Sequence, residues 1–270
     1  WLISGAVCIH VELRAPRYVS VGNSAILKCD YNVPHEHLHK VDWLVGGKKI
    51  WEYVKDRVPP YRSYLVPGIN IDRLHSDQNQ VMLTNMNFNA SGSYTCEVST
   101  EKPMIYTKSS EEHDITVMQN QRENPRITFK KPTYTVGDWI EVNCTSGSAK
   151  PTPDVTWLLN GKKAEDSRVQ SFPGQCGEDK NCCSPSSVTA QLRFQVTEDY
   201  VDKLELTCLA TIPRFLGHHT DYADHRMQNV SVDVISLASR ARSHNAYSKS
   251  SINTTSARTM LVLLLYWSWH

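Results

Sequence analysis

Three short stretches decide the fold: Ala25-Ile-Leu-Lys-Cys29, then Val41-Asp-Trp43-Leu-Val45, then Ser91-Gly-Ser-Tyr94-Thr-Cys96-Glu-Val98. In the first, Ala25, Leu27 and Cys29 share one face while Ser24, Ile26 and Lys28 share the other. Val41, Trp43 and Val45 repeat that alternation, as do Tyr94, Cys96 and Val98. A period of two is what a β-strand needs when only one face meets a core. Trp43 follows Cys29 by 14 residues, and Cys96 follows it by 67. The arrangement then returns further along the chain. Ile140, Val142 and Cys144 precede Val155, Trp157 and Leu159, and Leu204, Leu206, Cys208 and Ala210 follow, with Cys208 at 64 residues from Cys144.

Cys…Trp…Cys at these distances marks an immunoglobulin sandwich, in which a disulfide joins strands B and F across two sheets and the strand-C Trp packs on it. The predicted fold is all-β, with two tandem immunoglobulin-like β-sandwiches, the first variable-type and the second a divergent constant-like one. Disulfides are expected at Cys29–Cys96 and Cys144–Cys208, with Trp43 and Trp157 as the core indoles. Tyr94, two residues before Cys96, predicts a tyrosine corner, whereas Leu206 precludes one in the second domain. Ser91 stands where an Asp is usual, so the salt bridge common at that corner is not expected. The predicted domains span residues 11–118 and 126–235, joined by a polar, Pro-ended linker at 119–125. Each B–F disulfide closes a loop worth about 4 kcal/mol in the chain-entropy account.

The charge balance, 29 basic against 28 acidic residues, offers no broad attraction to nucleic acid or anionic membrane. Eight cysteines beside N-x-S/T sequons at Asn89, Asn143, Asn229 and Asn253 point to an oxidising, secretory route. Residues 1–10 read as a signal-peptide remnant, with Ala6 and Cys8 at the small-residue positions of a cleavage site; a first strand starting at Trp1 is the alternative. Residues 236–259 read as a flexible polar stalk, and residues 260–270 as an apolar tail too short to span a bilayer. That order fits a lipid (GPI) anchor signal with attachment at Ser250 or Ser251, and secretion without an anchor is the other reading.

Cys176, Cys182 and Cys183 fall in a turn-rich insertion of the second domain. Cys176 pairing with one of the vicinal pair is the simplest reading. A zinc site is the alternative, although the cluster lacks a second C-x-x-C knuckle. The leftover thiol is available to Cys8 or to a second chain.

His35-Glu36-His37-Leu38-His39 matches H-E-x-x-H, but it sits in the B–C loop behind Pro34, without the helix that zinc proteolysis requires. The three alternating His leave pH-sensitive binding or a surface metal as a weaker alternative. There is no Gly-rich phosphate loop and no nucleophile elbow. No enzyme activity, cofactor, metal or small-molecule substrate is expected.

In a variable-type domain the outer face of strands C, C′, F and G is open to a partner. Carrying the alternation through places Asp42, Leu44, Trp51 and Tyr53 there, with Tyr61 and Tyr64 beyond Pro59-Pro60, and Glu97, Ser99, Met104 and Tyr106 on F and G. Aromatic and Met side chains are enriched in interface cores. The competing reading has Trp51 or Tyr53 packed under a loop as ordinary core. Asn89, near the E–F turn, would hold a glycan away from this face.

Several stretches resemble the beaten-path family of arthropod immunoglobulin-superfamily proteins. They are Val41-Asp-Trp-Leu-Val-Gly-Gly-Lys-Lys-Ile-Trp-Glu-Tyr-Val54, Pro59-Pro60, Leu65-Val-Pro-Gly-Ile-Asn-Ile-Asp72, Gln80-Val-Met-Leu83 and Ser91 to Ser99. In the second domain Tyr134 to Asp138, Asn143 to Ser146 and Trp157 to Gly161 are similar to the family's pattern. The likeness runs over residues 11 to 212, and Pro67 to Asp72 is its most specific part. It implies a neuronal cell-surface or secreted recognition protein that binds immunoglobulin proteins of the sidestep family to guide axons or match synaptic partners. Homophilic adhesion or capture of a soluble ligand is the alternative function.

Overall fold

The computed structural model describes residues 9–102, 104–131, 133–174, 184–215 and 222–236. It forms two compact units, one ending at Asn120 and the other starting at Gln121. Among the described residues, regular structure is β-strand apart from single 3-10 turns.

The first domain contains β1 (Val11–Arg14), β2 (Tyr18–Ser20), β3 (Ala25–Tyr31), β4 (Leu38–Val45), β5 (Lys48–Val54), β6 (Tyr61–Ser63), β7 (Ile71–Asp72), β8 (Gln80–Leu83), β9 (Gly92–Thr100), β10 (Tyr106–Ser109) and β11 (His113–Met118). One sheet runs β1-β3-β8-β7; the other runs β2-β11-β9-β4-β5-β6, with β10 also on β9. The presence of both β5 and β6 outside β4 gives the C′ and C″ strands of a variable-type sandwich. Alternation in β3 is complete: Ala25, Leu27 and Cys29 are buried, and Ile26, Lys28 and Asp30 are exposed. Each fully buried aliphatic side chain contributes about 1.5–3 kcal/mol. Cys29 bonds Cys96, and both lie with Trp43 in one core. The Tyr94 hydroxyl donates to the Ala90 carbonyl at 2.6 Å, closing the tyrosine corner. Ser91, where an Asp is usual, accepts a hydrogen bond from the Val117 N–H at 2.9 Å.

The second domain contains β12 (Arg126–Phe129), β13 (Thr133–Thr135), β14 (Trp139–Thr145), β15 (Asp154–Leu159), β16 (Lys162–Lys163), β17 (Val169–Pro173), β18 (Val188–Gln195), β19 (Leu204–Ile212) and β20 (Asp224–Ile235). Its sheets run β12-β14-β18-β17 and β13-β20-β19-β15-β16. Cys144 bonds Cys208, and the buried Trp157 indole donates to the Ala190 carbonyl at 3.1 Å.

Both domains turn from β4 to β5, or from β15 to β16, through two residues with positive φ: Gly46 and Gly47 at 53° and 74°, Asn160 and Gly161 at 48° and 77°. This is the type I′ turn that matches strand twist.

Two boundaries differ from the sequence reading. Gln121, placed in the linker by its polarity, is buried in the second domain, where its amide donates to the Ala210 carbonyl at 3.2 Å and its backbone N–H to Asp224 at 2.7 Å. Buried polar groups are tolerated when bonded in this way. Ile9 and His10, assigned to the signal remnant, belong to the first domain: Ile9 packs on its core and the His10 N–H donates to Asn32 at 2.8 Å. Residues 1–8, the Cys176–Cys183 loop, Asn253 and the stalk and tail from 237 onward lie outside the described residues.

Candidate partner-binding site

The β4–β5 hairpin sets which side chains reach the outer face of the first domain. Next to its turn, Val45 opposes Lys48 and Leu44 opposes Lys49; one step on, Trp43 opposes Trp51 rather than Ile50. The extra residue is a β-bulge, and a one-residue slip moves every later side chain to the other face. Trp51 and Tyr53 therefore share the inner side with Trp43 and Val41. Trp51 is 2% exposed and its indole donates to the Asp77 carbonyl at 3.1 Å; Tyr53 is 8% exposed. Tyr61 is half-buried with its ring centroid 5.6 Å from that of Trp51 and 5.5 Å from that of Tyr53. These three aromatics belong to the core layer and not to the open face where simple alternation put them.

The outer face carries an ion-pair lattice instead. Asp42 lies between Lys40 at 2.8 Å and Lys49 at 3.0 Å, and Lys49 reaches Glu52 at 2.7 Å. Glu52 also meets Arg57 and accepts from the Tyr64 hydroxyl at 3.1 Å. Burial pushes the Glu52 carboxyl up, but hydrogen bonds from Lys49 and Arg57 outweigh it and bring it down to about 2. Burial likewise lowers Lys49, and its bonds to Glu52 and Asp42 more than restore it. Glu52 is held by two cations and a hydroxyl, so losing any one of them leaves its charge paired by the others.

Asp42 points outward yet is covered by its two lysines, and Ser99 is buried with its hydroxyl 2.8 Å from that of Thr107. Neither offers the free contact expected of it, because each is already satisfied by a neighbour. Leu44, Tyr64 and Glu97 are half-exposed, and Glu97 accepts from the Ser109 hydroxyl at 2.9 Å.

At one end of this face the turn between β9 and β10 presents Met104, Ile105 and Tyr106, which are 67%, 82% and 48% exposed. The turn is held from within: the Thr100 hydroxyl donates to the Met104 carbonyl at 3.0 Å. Its base is tied to the B–C loop, since the Glu101 N–H donates to the His37 carbonyl at 3.0 Å, and Lys55, just after β5, bridges the two by pairing with Glu101 at 3.3 Å and donating to the Glu36 carbonyl at 3.1 Å. A pre-organised apolar tip costs little ordering on binding. Ile105 escaped the sequence reading, although a Met-Ile-Tyr run between two strand patterns was the available signal.

His35 to His37 form a turn, and Leu38 and His39 begin β4. The H-E-x-x-H match is thus a turn and a strand, which cannot face two imidazoles to one zinc as a helix does. No group of three metal-ligating side chains, and no helix long and apolar enough to cross a membrane, occurs among the described residues.

Asn89 and Asn229 are exposed, the first in the 3-10 turn before β9 and the second on β20. Asn143 is half-buried on β14, with its Oδ1 enclosed and unbonded.

Strand order, disulfides and core indoles together define two tandem immunoglobulin domains. The immunoglobulin-domain family model matches residues 15–109, and the CD80-like C2-set immunoglobulin model matches residues 125–219. Cell adhesion molecule 1 of Mus musculus is 28% identical over 199 residues, covering 73% of this chain and 38% of its own length; the Homo sapiens protein of that name is 28% identical, covering 73% and 39%. The chain thus spans about two-fifths of these relatives. Among solved structures, murine CEACAM1b superposes with a TM-score of 0.55 at 14% identity, covering 84% of this chain and 100% of that one. One chain in the crystal structure of a mouse coronavirus receptor-binding domain complexed with its murine receptor gives 0.51 at 16% identity, covering 84% of this chain and 100% of that one. At such identities the likeness is one of fold.

Proposed function

We propose that this chain is an extracellular recognition protein that binds another cell-surface immunoglobulin protein through its first domain. The observation that carries this reading is the Met104–Tyr106 tip, an exposed apolar group braced at the end of a face of fixed charges. Apolar tips supply binding energy, and the charged face beside it selects among partners by complementarity. The partner class is the sidestep family and the role is guidance of axons or matching of synaptic partners, a reading supported by the beaten-path resemblance of residues 11 to 212. The protein is secreted or held at the plasma membrane by a C-terminal lipid anchor, with glycans on the accessible sequons.

The similarity to cell adhesion molecule 1 favours a second reading, adhesion between copies of the chain. One experiment separates the two. The chain is multimerised and presented to cells that each display one immunoglobulin-superfamily receptor, sidestep-type proteins and the chain itself included. Binding to a sidestep-type receptor supports the first reading; binding confined to the chain itself supports the second and overturns the first.

A further inference from the structure

The free edge of the larger sheet in the first domain has a feature that the site above does not use. Among the described residues β6 pairs with β5 on one side and with no strand on the other. A pocket opens at this edge, lined by Arg57, Pro59, Tyr61, Arg62, Ser63 and Arg73. Arg57 is neutralised by Glu52 and also donates to the Pro59 and Pro60 carbonyls. Arg62 is exposed and has no ion-pair partner among the described residues, while Arg73 donates to the Ser63 hydroxyl. The adjacent carboxylate, Asp72, is engaged by the Leu74 N–H at 2.9 Å and the His75 ring at 2.8 Å. Among the described residues neither guanidinium lies within ion-pair distance of a carboxylate, although Glu52 stands opposite Arg62 across the β5–β6 pair. Val58 lines the same pocket at 94% exposure, and Leu74, next to Arg73 in the chain, is 92% exposed.

We propose that this edge is a second docking site, for an extended segment of a partner protein in which an acidic side chain sits between aliphatic ones. The carboxylate takes the planar donor forks of Arg62 and Arg73, which suit it geometrically. The flanking aliphatics cover Val58 and Leu74 and bury apolar surface that now faces water. An anionic sugar would satisfy the arginines but leave both aliphatic side chains in water, so a peptide is the more complementary occupant. The site is independent of the Met104–Tyr106 tip, and either can fail without the other.

The test uses fluorescein-labelled peptides Ser-Leu-Glu-Val-Ser and Ser-Leu-Gln-Val-Ser and a heparin-derived hexasaccharide, titrated against the whole chain. The Glu peptide should bind saturably and at least about tenfold more tightly than the Gln peptide, since only the former brings a charge to the arginines. Arg62→Glu with Arg73→Glu should abolish that binding, Met104→Asp should leave it unchanged, and a Lys-for-Glu peptide should bind the double variant. Absence of saturable peptide binding, indifference to the two arginine substitutions, or binding of the saccharide alone would each overturn the proposal.

Discussion

Trp43 and Trp51 oppose one another across the β4–β5 hairpin, on the same inner side of the first domain and each no more than 2% exposed. Trp51→Ala should therefore act on stability: removal of so large a buried side chain costs about 3–5 kcal/mol. Denaturant unfolding of the first domain checks this, and an unfolding midpoint equal to that of the wild type would contradict the assignment of Trp51 to the core.

That pairing also shows what the sequence could and could not convey. The strands holding Cys29, Trp43 and Cys96, and their counterparts around Cys144, Trp157 and Cys208, were legible because burial on one face writes a period of two into the residues. The bulge at Ile50 was not. One extra residue in a run that is apolar on both sides leaves no mark, yet it exchanges Trp51 and Tyr53 for Glu52 on the outer face. The Lys40–Asp42–Lys49–Glu52–Arg57 lattice was equally hidden, since those contacts exist only once the register is set. Met104 and Tyr106 were legible as apolar residues between strands, and Gln121 misled because its burial depends on a carbonyl 89 residues away.

Glu52 should impose a specific pH dependence. Its folded carboxyl lies at about 2, below the ordinary 4.5, so its stabilisation is complete above the ordinary value and is lost as pH falls toward 2. It amounts to at most about 3 kcal/mol. Glu52→Gln should be less stable than wild type at neutral pH, and urea unfolding from pH 7 to pH 2 should show that gap closing between about pH 5 and pH 2. A gap that stays constant over this range would contradict the ion-pair account.

Cys144→Ala with Cys208→Ala removes a cross-link of sequence separation 64, for which the chain-entropy account gives a loss of about 4 kcal/mol. The second domain should unfold at lower denaturant while the transition of the first, with its own cross-link, keeps its midpoint. Circular dichroism together with intrinsic fluorescence separates the two transitions.

Occupancy of the sequons should follow exposure. Glycopeptide mass spectrometry of the secreted protein should find Asn89 and Asn229 occupied and Asn143, with its enclosed Oδ1, occupied least. Full occupancy at Asn143 would show that the outer side of β14 is open when the sugar is added.

The most direct measurement is receptor binding by a chain carrying Met104→Asp and Tyr106→Asp, run beside wild type on the same displayed immunoglobulin receptors. Both side chains are exposed, so unfolding should be unchanged within about 0.5 kcal/mol. The account predicts that binding to the receptor recognised by wild type falls by at least about tenfold, as for loss of an interface anchor. Undiminished binding by this variant would contradict it and remove the tip of the first domain as the recognition site.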